Sequence, residues 1–372
     1  MNKRDFIKTG LMGLGCSYCI PAGKLLAGTP AAPDLWKWSR EALFYEMTPR
    51  GTRCLICPNE CTLKPEELSV CHNRIRKEDK LYTIAYGNPC SVNVDPIEKK
   101  PLYHFLPASR AFSIATAGCN LACLNCQNWT ISQISPTETR NYDLMPAEVV
   151  NQALANDCES IAYTYSEPIT FFEYTCETSK IARTKKIKNV LVSAGYINEE
   201  PARYLAQHID AANIDLKSFS NTTYLRLNGG KLDPILNAVK ILKEEGVWLE
   251  LGNLVVPNWT DDLAMIREMC KWLHANGFEN TPLHFLRFHP MYKLTQLPAT
   301  PQAVLESARN IALSEGIKFV YIGNVPGTEA CNTFCPRCKK LVVERKGYVI
   351  SQLNIKQGKC AYCGEPIPGV WQ

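Results

Sequence analysis

At 372 residues the chain is long enough for one large domain with a sizeable core, alone or with appendages. Its net charge of +5 comes from interspersed acids and bases with no dense Lys/Arg run, so nucleic acid is not an expected partner. Its 18 cysteines are fewer than a secreted disulfide scaffold carries, and their short C-x-x-C spacings read as metal sites in a chain this large.

Residues 1–33 differ from the rest. "NKRDFIKTG" precedes an uncharged run from Thr9 to Gly23, then Lys24 and "AGTPAAP". This resembles a twin-arginine export signal, with Lys3-Arg4 in place of the arginine pair and Phe6-Ile7-Lys8 matching the remainder. The run is shorter than the roughly 20 residues that span a bilayer, so no stable membrane span is expected. The expected location is the cytoplasm, or export through the twin-arginine pathway if this signal operates. Cys16 and Cys19 have no assigned role.

Residues 34–110 form a Cys-rich segment. "CLICPNEC" and "CHNR" supply Cys54, Cys57, Cys61 and Cys71, with His72 as a substitute ligand. Four thiolates this close in sequence close a zinc site or hold an iron–sulfur cluster, and the spacing does not choose between them. Reduced thiols without metal are the alternative.

From 111 to 325 short apolar runs alternate with amphipathic stretches. Strands are predicted over 111–117, 160–165, 189–193, 211–215, 247–256, 283–288 and 318–325. Three helices carry boundary signals: Asp233-Pro234 to Gly246, Thr260 to Gly277, and Thr300-Pro301 to Gly316. Strands alternating with single helices predict an α/β fold with a parallel sheet, a complete or partial (β/α) TIM-like barrel. Its chemistry would sit at the C-terminal ends of the strands.

"GCNLACLNCQNW" places Cys119, Cys123 and Cys126 directly after the first of these strands. Three thiolates at this spacing hold three irons of a cubane cluster and leave one iron open, the mark of a catalytic centre. A zinc site or buried thiols are the alternatives. C-x3-C-x2-C after the first strand of a βα barrel resembles the radical S-adenosylmethionine (SAM) enzymes, close to pyruvate formate-lyase activating enzyme. "DPIEKKPLYHFLP" (95–107), "CNLACLNCQNW" (119–129), "YTYSEP" (163–168), "AANIDLKSF" (211–219), "LHFLRFHP" (283–290) and "VYIGNV" (320–325) resemble the radical SAM subfamily of the AmmeMemoRadiSam system.

The resemblance implies a 4Fe–4S cluster on Cys119, Cys123 and Cys126. It also implies reductive cleavage of SAM to a 5′-deoxyadenosyl radical that abstracts hydrogen from an unknown substrate. It implies a reductant such as flavodoxin or ferredoxin, and Memo-type and AMMECR-type partners. Ser166-Glu167-Pro168 stands where relatives receive the methionyl amino group, and a carboxylate at Glu167 suits that contact. Ser193, in Ser193-Ala194-Gly195, would meet SAM through its hydroxyl. Asp215 and Lys217 resemble the D-x-K of activating enzymes and would frame SAM or substrate. His289 resembles a histidine near SAM. The chain departs from the pattern at Asn125, where an aromatic residue is usual, and at Asn258, where Gly is common.

The tail, 326–372, carries "CPRC" and "CAYCG". Cys335, Cys338, Cys360 and Cys363 form two C-x2-C knuckles, a zinc-ribbon pattern held chiefly by metal. Cys331, Cys90, Cys158, Cys176 and Cys270 fit no site. The reading is thus an enzyme. A glycyl-radical-enzyme activase is the alternative within the same chemistry, and a metal-cluster scaffold or electron carrier is the alternative outside it.

Overall fold

The apolar runs of the central region are rich in Val, Ile, Leu and Ala, with no polar alternation over most of their length. A strand covered on both faces needs this pattern. In the computed structural model, which describes residues 35–371, these runs form one eight-stranded sheet. The expected export signal lies outside the described residues.

The strands are β1 (Ser91–Pro96), β2 (Arg110–Ala115), β3 (Ser160–Tyr163), β4 (Lys188–Ser193), β5 (Ala211–Asp215), β6 (Trp248–Val255), β7 (Leu283–Arg287) and β8 (Val320–Gly323). They lie in chain order across the sheet. Strands β2 to β8 are parallel, and β1 adds antiparallel to β2 in the register Ser91↔Ala115 to Pro96↔Arg110. Among the described residues no ladder joins β8 to β1, so the sheet is open. The sequence reading placed Ser91–Pro96 in the N-terminal segment, whereas the sheet takes it in.

Helices α1 (Pro146–Ala155), α2 (Phe172–Thr184), α3 (Glu199–Ala206), α4 (Leu232–Glu244), α5 (Leu263–Ala275) and α6 (Gln302–Ser314) connect the parallel strands. Each crossover joins neighbouring parallel strands, so every βα loop opens on the same edge of the sheet. Helix α4 begins one residue before Asp233 and ends before Gly246, whose φ of 78° suits glycine. Helix α5 starts later than predicted. Asp262 is the cap, accepting from Ala264 N at 2.8 Å. Thr260 instead ties the end of β6, donating to Leu254 O at 2.8 Å and accepting from Val256 N at 2.7 Å.

Inner helix positions (Val149, Ile235, Val239, Ile266, Met269, Leu305) pack with strand residues (Ile161, Ile214, Leu251, Phe285) in one core. Two small antiparallel sheets precede β1. One joins Arg40–Glu41, Arg74–Lys77 and Lys80–Thr83, and the other joins Tyr45–Thr48, Gly51–Cys54 and Thr62–Leu63. The tail forms a three-stranded sheet and a two-stranded hairpin of its own. Among the described residues no helix is long and apolar enough to cross a membrane.

Candidate functional site

Strand β2 leads into the three-cysteine loop through Gly118, whose φ is 98°. A Cβ there would stand 2.4 Å from the carbonyl oxygen of Cys71, so only glycine fits. The loop then crosses the C-terminal ends of β4 and β5. Ala122 N donates to Asn228 O at 2.8 Å and Leu124 N to Leu227 O at 2.9 Å. The Asn120 amide donates to Tyr196 O at 2.7 Å. Cys123 is buried, and the Asn228 amide donates to its sulfur at 3.2 Å.

Glu167, at the end of β3, is 2% exposed. Its Oε1 accepts from Ser193 Oγ at 2.6 Å and Ile169 N at 3.2 Å, and its Oε2 accepts from Ala194 N at 2.9 Å. Burial raises its pKa, and these donors oppose the shift. Burial pushes the Cys119 thiol well up, and the Glu167 charge adds to it. Burial also raises Cys123, opposed by Lys217 and the Asn228 amide. Lys217 Nζ bonds Asp215 Oδ2 at 2.7 Å at the end of β5. Burial alone would lower the lysine's pKa, but Asp215 and Cys123 outweigh it and raise it. Opposite Asp215, β6 carries Gly252, where a Cβ would come within 2.9 Å of Asp215 Oδ1.

The fold therefore brings Glu167, Ser193, Asp215 and Lys217 around Cys119 and Cys123. Ser166 is tied elsewhere, its hydroxyl donating to Thr116 O at 2.7 Å. His289 is exposed two residues beyond β7 and takes no part in this network. Sequence reasoning missed Asn228 and Tyr224, whose hydroxyl accepts from Lys217 N at 2.8 Å. The one signal for them was "NGG" at 228–230, a dipeptide pattern that marks a turn but not its neighbour.

In the tail, the sulfurs of Cys335, Cys338, Cys360 and Cys363 all lie within 4.8 Å of one another. Cys335 and Cys363 are 3.6 Å apart, and Cys338 and Cys360 are 3.8 Å apart. Four thiolates about 2.3 Å from one zinc stand just under ~4 Å apart, so a single tetrahedral ion fits. The tail also has more core than its sequence indicated. Val342, Val343 and Ile367 bury against Tyr103, Phe319 and Tyr321. Arg345 donates to Tyr103 O at 2.8 Å.

The N-terminal thiols behave differently. Cys54, Cys57, Cys61 and Cys71 line one small pocket, and His72 is not part of its wall. The cysteines of the described residues are free thiols, not disulfides.

Residues 113–279 match the Radical SAM superfamily. That span holds the three-cysteine loop, Glu167, Ser193, Asp215 and Lys217. Such a domain implies a 4Fe–4S cluster and reductive cleavage of SAM to a radical. The chain is 44% identical over 333 residues to the uncharacterized protein MJ0808 of Methanocaldococcus jannaschii, covering 88% of this chain and 98% of that protein. Among solved structures, a radical SAM methyltransferase from Sphaerobacter thermophilus is 16% identical with a TM-score of 0.47, covering 59% of this chain and 67% of that one. A domain of pyruvate-formate lyase-activating enzyme from Bacteroides vulgatus is 15% identical with a TM-score of 0.39, covering 44% of this chain and 99% of that one. The chain belongs to the family of MJ0808, and its residues 113–279 are a Radical SAM superfamily domain.

Proposed function

We propose that this chain is a radical SAM enzyme of the AmmeMemoRadiSam type, related to pyruvate formate-lyase activating enzyme, in which Cys119, Cys123 and Cys126 hold the catalytic 4Fe–4S cluster. The observation that carries the reading is the three-thiol loop itself. It lies at the C-terminal end of β2, with Glu167 beside Cys119 and Lys217 beside Cys123. Among the described residues these three thiols are not gathered as a single ion requires, and the loop offers no fourth. Both facts fit a cubane with one open iron.

The bound cluster supplies the electron that cleaves SAM. The chain's own residues shape the site. The Asn228 amide and the Lys217 ammonium offset negative charge at Cys123. Glu167 Oε2 accepts a hydrogen bond from Ala194 N, so a lone pair remains for the methionyl ammonium. Ser193 acts through Glu167, since its hydroxyl donates to that carboxylate and accepts from Gly195 N at 2.9 Å. Asp215 fixes Lys217, and the pair frames the open side of the loop. His289 would join only through movement of its exposed segment, and Ser166 serves the loop's root.

The open sheet acts as a partial barrel, with the chemistry at the strand ends. The tail cysteines hold zinc, which has no redox chemistry, so the tail is structural. A low-potential reductant such as flavodoxin or ferredoxin supplies electrons, and Memo-type and AMMECR-type proteins are its system partners. The test is anaerobic reconstitution with iron and sulfide, then SAM and dithionite. 5′-Deoxyadenosine and methionine are the expected products. Their absence above a no-enzyme control removes the reading.

A further inference from the structure

We infer that Cys54, Cys57, Cys61 and Cys71 hold a second 4Fe–4S cluster, closed by four thiolates and set against the back of the three-cysteine loop. The spacing alone leaves zinc and a cluster open. The arrangement of the four thiols, compared with the tail, decides between them.

The tail provides an internal standard. Its four sulfurs are gathered within 4.8 Å, as one zinc ion requires. Among the described residues no other group of three or more Cys, His, Asp or Glu is gathered in this way. The N-terminal thiols instead line one pocket without being gathered within that distance. A cubane binds each thiolate to a separate iron, which holds the sulfurs farther apart than a shared ion does. The wider arrangement therefore fits a cluster.

Two neighbours favour an anionic metal centre over free thiols. Arg74 lines the same cavity and is 1% exposed. Its Nη1 bonds Glu173 at 2.7 Å, while its Nη2 is buried without a partner. An unpaired guanidinium nitrogen is costly inside a protein, and thiolates or sulfides carrying net negative charge would satisfy it. Ser69 Oγ lies 3.1 Å from Cys71 Sγ, a hydrogen bond of the kind that tunes cluster sulfurs.

The cavity also adjoins the catalytic loop. Asn120, next in sequence to Cys119, forms part of its wall. Asn59 donates to Asn120 O at 2.8 Å, and Gly118 lies against the carbonyl of Cys71. The two centres would share a wall only a few residues thick, so their electron spins would couple when both are reduced.

The test uses the full chain, reconstituted anaerobically with iron, sulfide and zinc present. Wild type is expected to hold about eight irons and eight sulfides, as two cubanes. A variant with Cys119→Ala, Cys123→Ala and Cys126→Ala leaves the N-terminal site untouched. It should retain about four irons and four sulfides, with a 4Fe–4S Mössbauer signature. Reduced wild type should show a spin-coupled paramagnetic resonance spectrum that this variant lacks. Adding Cys57→Ala to the triple variant should remove the remaining iron. A circular dichroism spectrum and an unfolding midpoint that match wild type confirm that each variant is folded.

A folded triple variant with no iron or sulfide, or with about two zinc ions, overturns the inference. A triple variant that keeps all the wild-type iron overturns the assignment of the catalytic loop instead, so the two failures are distinguishable. Two clusters in wild type with no trace of spin coupling would refute the shared wall.

Discussion

Asn228 donates its side-chain amide to the sulfur of Cys123 at 3.2 Å, from a turn that also carries the backbone partner of Ala122. A donor aimed at a thiolate stabilises the more negative, reduced state of a cluster more than the oxidised state. Asn228→Ala should therefore leave three thiolates and a full complement of iron. The catalytic cluster's reduction potential should fall by on the order of 50 mV, about 1 kcal/mol for one electron. SAM cleavage should slow with a given reductant. A redox titration followed by paramagnetic resonance checks this, and an unchanged potential means that the amide does not face the bound cluster.

Glu167 serves two tasks, since it closes β3 onto β4 through Ser193 and Ala194 and presents a carboxylate beside Cys119. Glu167→Ala should weaken SAM binding by about 1.5–3 kcal/mol, the worth of a charge-assisted hydrogen bond. Cluster assembly should survive. Glu167→Gln should bind SAM weakly too, because an amide nitrogen placed toward Ala194 N meets a donor with a donor. Equal SAM affinity across wild type and both variants, measured by calorimetry under anaerobic conditions, removes this residue from the binding site.

The parallel sheet was legible because β2 to β8 are largely apolar and mostly buried, and such runs survive any choice of neighbour. Strand β1 was not. "SVNVDP" mixes polar and apolar residues, is mostly half-buried and ends in proline, as suits an antiparallel edge. Thr260 looked like a helix cap because Thr often is one. Here its hydroxyl closes a turn at the end of β6, and Asp262 takes the cap. The three cysteines announced themselves by spacing, and the strand-end acids by resemblance. Asn228 did neither, since its contact with Cys123 spans 105 positions and exists only after the sheet closes that distance. The docking of Arg345 on Tyr103 was hidden for the same reason.

The outer and inner metal sites should separate cleanly. Cys123→Ala removes one thiolate of the loop, and the core around Ile161, Ile214 and Leu251 does not depend on it. That variant should stay folded, keep tail zinc and lose SAM cleavage. Cys335→Ala removes one of the four gathered tail sulfurs and should lose about one zinc. Its tail should become protease-sensitive, though the buried Val342, Val343 and Ile367 will slow full release. The catalytic cluster and basal SAM cleavage should survive. Metal analysis, limited proteolysis and a 5′-deoxyadenosine assay test both variants. Loss of the catalytic cluster in Cys335→Ala with retention in Cys123→Ala reverses the assignment.

His104 should make docking of the tail acid-sensitive. It is fully buried, with Nδ1 2.6 Å from Pro368 O and Nε2 2.5 Å from the Tyr321 hydroxyl. It therefore links the segment before β2, the tail and β8. Burial pushes its pKa from 6.5 down to about 4. Between those two values the unfolded chain takes up a proton that the native state refuses, so stability falls as pH drops from 6.5 to 4 and this contribution levels off below. The shift corresponds to at most about 3 kcal/mol. Glu250, which accepts from His104 N at 2.7 Å, favours the proton on this ring, and Arg345 opposes it. His104→Gln has no ring to titrate, so its urea midpoint should change less than wild type's between pH 7 and pH 4.5. Proteolysis of the wild-type tail should quicken over the same interval. Parallel pH profiles for the two proteins would mean that the acid sensitivity of this junction arises from another group.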